Sequence, residues 1–231
     1  MDRTMVTVVI PTLNEQAALP GCLSSVGVSP QVEVVVSDGG SVDRTVSIAR
    51  SAPDAVVVEG PPGRGQQLRR GASTASGNAL LFLHADCRLP VGWLDAVGGA
   101  LQDPETTLAC FRLSTRPANG AGRIHRAWLS LLDLRSYGLG LPYGDQAFAL
   151  RREVYEEVGG FPDIPLMEDL ALARECRRRG RIRHLPLAVR TSGRRFEQRP
   201  VRTRLMTIGF PWLFRLGVAP QTLARWYGEV R

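Results

Sequence analysis

The stretch VTVVIPTLNE, from Val6 to Glu15, decides how this chain is to be read. Its first five residues are all β-branched, as expected of a strand buried on both faces of a parallel sheet. The remainder is a polar loop in which Pro11, Thr12, Asn14 and Glu15 surround Leu13. Three further apolar runs repeat the strand signal at Val32–Val36, Ala55–Val58 and Ala79–Leu83. Between the first two, Leu19, Cys22, Leu23 and Val26 fall at i, i+3, i+4 and i+7, one apolar helix stripe. Val46 and Ala49 suggest a shorter helix starting near Asp43, and Arg64 to Ser76 leaves room for a third. Strand, helix, strand, repeated three times, predicts right-handed βαβ units in an α/β fold with a doubly wound, mostly parallel central sheet.

Beyond residue 90 the pattern loosens. Helices are expected over Val91–Leu101, Ile124–Leu134, Arg152–Val158 and Glu168–Arg179. Strands are expected near Thr107–Leu113, Gln146–Leu150 and Ile182–Val189, with Pro117–Gly122 a turn-rich break and Gly138–Tyr143 a loop. The end of the chain carries two amphipathic candidates. Leu205, Ile208, Trp212 and Leu216 share one face across a kink at Pro211, and a helix opening at Pro220 aligns Leu223, Trp226, Tyr227 and Val230. The expected organisation is one domain over residues 1–200, with a helical tail over 201–231 whose apolar stripe packs on it.

The 231 residues carry 44% apolar and 22% charged positions, enough for a real core and unlike disordered or collagenous chains. Four cysteines without a CxxC pair indicate neither a zinc knuckle nor a disulfide scaffold, and fit a reducing, cytoplasmic setting. No apolar run reaches the ~18 residues of a membrane span. The net charge of +7 is unevenly placed. Residues 1–173 hold 14 Arg against 19 acids, a net of −5, whereas residues 174–231 hold 15 Arg against 3 acids, a net of +12. Such a basic end suits an anionic partner. Nucleic acid fits least, because no aromatics interleave the arginines. Peripheral contact with the inner membrane face and a homodimer stay open beside simple packing.

In an open α/β sheet, ligands bind at the carboxyl ends of the strands. Here those ends read Pro11-Thr12-Leu13-Asn14-Glu15, Ser37-Asp38-Gly39-Gly40-Ser41, Glu59-Gly60-Pro61-Pro62-Gly63-Arg64 and His84-Ala85-Asp86. Four polar or glycine-rich ends on one edge predict a ligand site there. The first loop lacks the G-x-G-x-x-G turn of a dinucleotide fold, and no G-x-x-x-x-G-K-[ST] phosphate loop occurs. Phosphates at this edge would therefore need another source of positive charge, and a divalent metal on Asp86 would serve.

These motifs, followed by Gly144-Asp145-Gln146, Glu168-Asp169 and Arg194-Arg195-Phe196, resemble glycosyltransferase family 2 over about residues 5–200. Within it, the sequence is similar to short bacterial transferases described as radical-SAM or selenodomain-associated. The resemblance implies a GT-A fold and an inverting transferase that moves a sugar from a nucleotide-diphosphate donor to a hydroxyl acceptor, a small molecule or a lipid-linked one. It implies that Pro11, Thr12, Asn14 and Glu15 line the nucleoside pocket, that Asp38 and Gly39 form the turn facing the base, and that Arg64 lies by base or phosphate. Asp86 corresponds to the last acid of the DxD motif and would hold Mn2+ or Mg2+ on the diphosphate. Asp169 corresponds to the general base, with Asp145, Gln146 and Glu168 on the acceptor side. Arg194 and Arg195 correspond to the basic end of a motif that holds diphosphate or acceptor. Two departures stand out: Gly39 replaces the second acid of the Asp-Asp-Gly-Ser turn, and His84 replaces the first acid of DxD. They keep two alternatives in view, a nucleotide-sugar-binding protein that lost catalysis and a sugar-phosphate nucleotidyltransferase. The second would need a basic glycine-rich loop after the first strand.

Overall fold

The computed structural model describes residues 4–116, 133, 141–192 and 209–227. Its first half follows the strand–helix alternation closely. Strand β1 (Val6–Thr12) is followed by α1 (Leu19–Val26), β2 (Val32–Asp38), α2 (Thr45–Ser51), β3 (Ala55–Glu59), α3 (Arg64–Thr74) and β4 (Ala79–Phe82). The four strands are parallel in the order β3-β2-β1-β4. β1 lies between β2 and β4, and its five leading residues are sealed from solvent, which is why its sequence has no polar face. Helix α3 lies close on β1 because Gly71 has no side chain. A Cβ there would stand 2.4 Å from Val9 Cγ1.

The register aligns the carboxyl ends. Thr12 pairs with Asp38, and Asp38 with Glu59. β4 stops at Phe82 opposite Val9, and the Leu83 N–H donates to Val9 O at 3.0 Å. His84-Ala85-Asp86 therefore emerges beside the end of β1, as the sequence predicts.

The second half departs from that pattern. A two-residue strand, β5 (Cys87–Arg88), leads to α4 (Trp93–Leu101) and the long β6 (Thr106–Arg116). A short 3-10 turn (Gly144–Gln146) precedes β7 (Phe148–Arg151), α5 (Arg152–Glu157), α6 (Glu168–Arg179) and β8 (Arg181–Ser192). These strands extend the sheet in the order β4-β7-β6-β8-β5. β7 runs antiparallel to both β4 and β6, β6 and β8 are parallel, and β5 closes the edge antiparallel to β8. Four of the seven described ladders are parallel, so the expected mostly parallel sheet holds. The antiparallel insertion of β7 and the strand β5 are additions to the expectation. Helices α1 and α4 cover one face with Leu19, Cys22, Trp93 and Val97, while α3 and α6 cover the other with Leu68, Ala72, Leu172 and Cys176.

Helix α6 matches its expected bounds. Glu168 and Asp169 sit at its start and Arg177–Arg179 at its end, both favourable to the helix dipole. Glu175 pairs with Arg178 at 2.6 Å and Arg179 at 3.2 Å.

The tail differs from expectation. Residues 209–215 are helical, and Pro211 does not break them. Trp212 and Leu216 are 61% and 79% exposed, whereas Phe210 is buried, so the inward face is not the anticipated stripe. The predicted face assumed one register from Leu205 onward; Phe210 and the half-buried Leu213 and Phe214 set another. In the last helix, α7 (Pro220–Tyr227), Leu223 is fully buried as expected, but Trp226 is exposed. The calls for 124–134, for the 117–122 break and for Leu205 and Ile208 lie outside the described residues, apart from Asp133.

Candidate functional site

The loops after β1 and β2 are sewn into one rim by short polar side chains. Asn14 Oδ1 accepts from the Val42 N–H at 2.9 Å, while the Asn14 N–H donates to Ser41 Oγ at 2.8 Å. The Glu15 N–H donates to Thr45 Oγ1 at 2.8 Å, and the Gln16 N–H to Asp43 Oδ2 at 3.2 Å. Asn14 takes a left-handed backbone conformation, φ 55°, which asparagine tolerates better than most residues.

Asp38 organises this rim from beneath. Its Oδ2 accepts from Thr12 Oγ1 at 2.8 Å and Ser41 Oγ at 2.6 Å; its Oδ1 accepts from the Gly40 and Ser41 amides at 2.8 and 2.7 Å. Burial alone would raise its carboxyl, but the hydrogen bonds from Ser41, Thr12 and Gly40 outweigh it and hold the group below the usual carboxylate range. Asp38 and Thr12 are both sealed from solvent, so neither side chain meets a nucleoside directly, contrary to expectation. A carboxylate satisfied four times over acts as the keystone of the turn.

Gln67, absent from the sequence reading, completes the structure below. Its Nε2 donates to Thr12 O at 2.6 Å and Ser37 O at 3.1 Å, joining β1, β2 and α3. It also explains the first departure from the family pattern. A Cβ on Gly39 would come within 2.9 Å of Gln67 Cδ, so the space of the missing acid is already filled.

The other half of the site is built around Gly144. Its N–H donates to Asp169 Oδ2 at 2.8 Å, and the Leu170 N–H donates to Asp169 Oδ1 at 2.8 Å. A Cβ on Gly144 would stand 3.1 Å from His84 Nε2 and 3.2 Å from Asp169 Oδ2. His84, two residues beyond β4, and Asp169, in the first turn of α6, thus converge on one glycine. Met167 and Ala147, beside these groups, hold left-handed φ values of 68° and 50°. Each such residue costs about 1–3 kcal/mol, strain of a kind that gathers at functional sites.

Gln146 is fully buried, its Oε1 accepting from the Tyr143 N–H at 3.1 Å and its Nε2 donating to Phe111 O at 2.9 Å. Glu168 is 1% exposed and forms an ion pair with Arg64 Nε. Both were expected to face the acceptor; burial makes them braces instead. Through Arg64, Glu168 ties the start of α3 to the start of α6. Asp145 is half-buried, with its Oδ1 out of reach of solvent.

Asp86 is half-buried at the head of β5. The Cys87 thiol is driven up first by burial and then by the Asp86 carboxylate, with Thr191 opposing and Asp145 adding to the rise. The two carboxylates therefore press on the same thiol from the same neighbourhood. Among the described residues, no group of three or more His, Cys, Asp or Glu side chains could hold a metal alone. A cation that rides on a diphosphate needs only one or two protein carboxylates plus phosphate oxygens, so Asp86 fits that kind of site. Pro11, Asn14, Glu15, Arg64, Asp86, Asp145 and Asp169 are all half-buried or exposed around this edge. Arg194 and Arg195 lie outside the described residues. Gly144 was legible only as part of its Gly-Asp-Gln run, since a backbone amide leaves no trace in side-chain chemistry.

Comparison with known proteins follows the same lines. The family profile described as "Glycosyl transferase family 2" matches residues 7–159. A Mycobacterium tuberculosis protein named "PGL/p-HBAD biosynthesis glycosyltransferase" is 38% identical over 94 residues, 37% of this chain and 37% of its own. An Aeromonas hydrophila "undecaprenyl-phosphate 4-deoxy-4-formamido-L-arabinose transferase" is 36% identical over 104 residues, 38% of this chain and 31% of its own. The matches thus span about a third of the length of these curated relatives. Among solved structures, a mannosyltransferase of Pyrobaculum calidifontis in complex with GDP-Man and Mn2+ superposes with a TM-score of 0.67 at 22% identity, covering 98% of this chain and 68% of that one. Staphylococcus aureus TarS in complex with UDP gives 0.62 at 19% identity, covering 81% and 60%. These structural likenesses establish the GT-A type of fold. No helix among the described residues is long and apolar enough to cross a membrane.

Proposed function

The chain belongs to glycosyl transferase family 2, and from that premise we propose that it moves a sugar from a nucleotide-diphosphate donor to a hydroxyl acceptor with inversion. The observation that carries this reading is the meeting at Gly144, where the strand end bearing His84-Ala85-Asp86 and the acid of α6 come together from the two halves of the sheet. The order of motifs also supports placement among the short radical-SAM or selenodomain-associated transferases. Residues 1–200 act as the transferase domain, with 201–231 as its tail.

The rim of Pro11, Asn14 and Glu15 receives the nucleoside, on a loop that Asp38 and Gln67 hold rigid. Asp86 holds the Mn2+ or Mg2+ ion, which when bound supplies positive charge to the departing diphosphate. Arg64, oriented by Glu168, adds a guanidinium on the donor side. Asp169 takes the acceptor proton, a step that contributes about 10²–10⁴ in rate when the carboxylate is fixed in place. Its two amide contacts fix it without neutralising it. Inversion follows from attack on the face opposite the leaving group. Arg194 and Arg195 add charge toward diphosphate or acceptor.

The test is a thermal-shift screen of UDP-, GDP- and dTDP-sugars with and without Mn2+, since a ligand of the folded state raises its melting temperature. The donor so found should be turned over, and Asp169→Asn should lower turnover about 10²–10⁴-fold while keeping the donor-induced shift. Wild-type turnover in Asp169→Asn would overturn the assignment of the base.

A further inference from the structure

Gln67 accounts for Gly39, the first departure from the family pattern. The second, a histidine where the DxD motif has its leading acid, has surroundings of its own. Leu83 is fixed to β1, its N–H donating to Val9 O at 3.0 Å. The chain then turns over His84-Ala85-Asp86-Cys87, closed by the Cys87 N–H on His84 O at 3.0 Å. The Cys22 thiol of α1 donates to the same oxygen at 3.6 Å. The backbone of His84 is therefore held from two sides, while its side chain is half-buried at the carboxyl edge of the sheet.

An extended Asp-x-Asp sends both side chains the same way, because residues i and i+2 of a strand share a face. The turn gives them different neighbours here. Asp86 Oδ1 accepts from the Cys87 thiol at 3.8 Å. His84 instead faces Gly144, on the side where a side chain would project. A Cβ there would stand 3.1 Å from His84 Nε2 and 3.2 Å from Asp169 Oδ2. Glycine leaves that side bare, so a ring nitrogen and a carboxylate oxygen look onto the same gap.

Asp169 is held in place at this gap without being used up. The Gly144 N–H binds its Oδ2 and the Leu170 N–H its Oδ1, both at 2.8 Å, and each oxygen keeps a second lone pair. His84 sits just past a strand and Asp169 in the first turn of a helix, the kind of rigid support a reacting pair needs. An aspartate at 84 would set a second carboxylate across the gap from Asp169, where like charges repel. An imidazole adds no negative charge and offers an N–H donor that a carboxylate lacks.

We infer that His84 is a second catalytic residue, on the acceptor side: its Nε2–H donates to the acceptor hydroxyl oxygen while Asp169 Oδ2 takes that hydroxyl's proton. A hydroxyl oxygen has two lone pairs. One accepts from His84, and the other forms the bond to the anomeric carbon. The bond from that carbon to the diphosphate oxygen breaks, and its electron pair leaves with the diphosphate. The inference rests on the proposed sugar transfer with Asp169 as base, and it takes residue 84 out of the metal site to which the DxD acids belong.

The experiment reads donor binding and donor turnover separately. UDP-, GDP- and dTDP-sugars are each titrated onto the wild type by calorimetry with Mn2+. Nucleotide release is then followed in water and with glycerol as a simple hydroxyl acceptor. Neither binding nor release with any donor would overturn the transferase reading and the role of His84 together; binding without release would overturn the roles of His84 and Asp169 and leave a donor-binding protein. With an active donor, His84→Ala should lower release roughly tenfold to a hundredfold, in kcat and in KM for glycerol, with donor and Mn2+ affinity kept within about twofold. His84→Gln, which keeps an N–H donor, should recover most of the rate. His84→Asp, which restores the family's acid, should stay as slow as His84→Ala. Unchanged release in His84→Ala, or a glutamine no better than alanine, would overturn the inference. Full activity in His84→Asp, or a parallel loss of donor or Mn2+ affinity in His84→Ala, would also overturn it, returning the position to the metal site and leaving the transferase reading intact.

Discussion

The β3-β2-β1-β4 half of the sheet and the β4-β7-β6-β8-β5 half solve different problems. The first is wholly parallel, and its loops are short and tied by side chains to neighbouring backbone: Asp38 beneath the rim, Asn14 and Ser41 across it, Gln67 behind it. The second mixes directions, carries an irregular ladder between β6 and β8, and holds Asp169 through the amides of Gly144 and Leu170. The difference teaches that the edge proposed for the donor is a tightly tied shelf, while Asp169, the proposed base, is placed by few contacts. Perturbing the shelf should lower stability and binding together. Perturbing the other half should lower rate with little effect on stability.

The sharpest separation comes from Asp169→Asn, for which a loss of about 10²–10⁴ in turnover is expected with donor binding kept. Parallel activity and calorimetric titrations check it, and a parallel loss of binding would blur the two halves. Asp38→Ala is expected to do the reverse. It removes an acceptor of four hydrogen bonds, each worth about 1.5–3 kcal/mol when charge-assisted, though partly compensated on relaxation. A net loss of about 3 kcal/mol, or roughly 6–12 °C in melting temperature, should accompany loss of the donor-induced shift.

The same group makes a pH prediction. The folded-state value of Asp38 lies below its unfolded one, so its stabilisation is fully present above about pH 4 and is lost as pH falls through the folded value. Melting temperature should fall with acid in the wild type, and the slope should be shallower in Asp38→Asn. Next in size, Gly144→Ala crowds His84 and Asp169 and should lower turnover about 10²-fold, since a shift of about 1 Å in a reacting group has that effect. Its melting temperature should change far less than that of Asp38→Ala. Smallest of all, Arg179→Ala removes an exposed i,i+4 pair with Glu175 and should change stability by about 0.3–0.5 kcal/mol and activity not at all. Denaturant titration checks it and sets the background for the larger effects.

The two halves also differ in what their sequences disclose. Val6–Ile10 and its three companions announce themselves because strands buried on both faces need continuous apolar residues, and parallel strands need helices between them. Phe148–Arg151 is too short and too ordinary to reveal that it inserts antiparallel between β4 and β6, a pairing decided by distant residues such as Phe82 and Cys110, both partners of Phe148. Asp86 and Asp169 were visible through motif order, but the burial of Asp38, Gln146 and Glu168 was not. Each is a polar residue in a polar run, and only the fold turns it inward. Gln67 was hidden for a related reason, since a glutamine in a helix reads as surface until the close approach of Gly39 shows what it touches.

The account stands on one cleft shared by both halves, and the position of a bound donor tests that most directly. A crystal structure of the chain with its nucleotide sugar and Mn2+ should show the cation on Asp86, the nucleoside against the Asn14 rim, and the sugar facing Asp169 beside Gly144. A nucleotide bound away from Asp86, or a sugar with Asp169 on the far side of the protein wall, would contradict it.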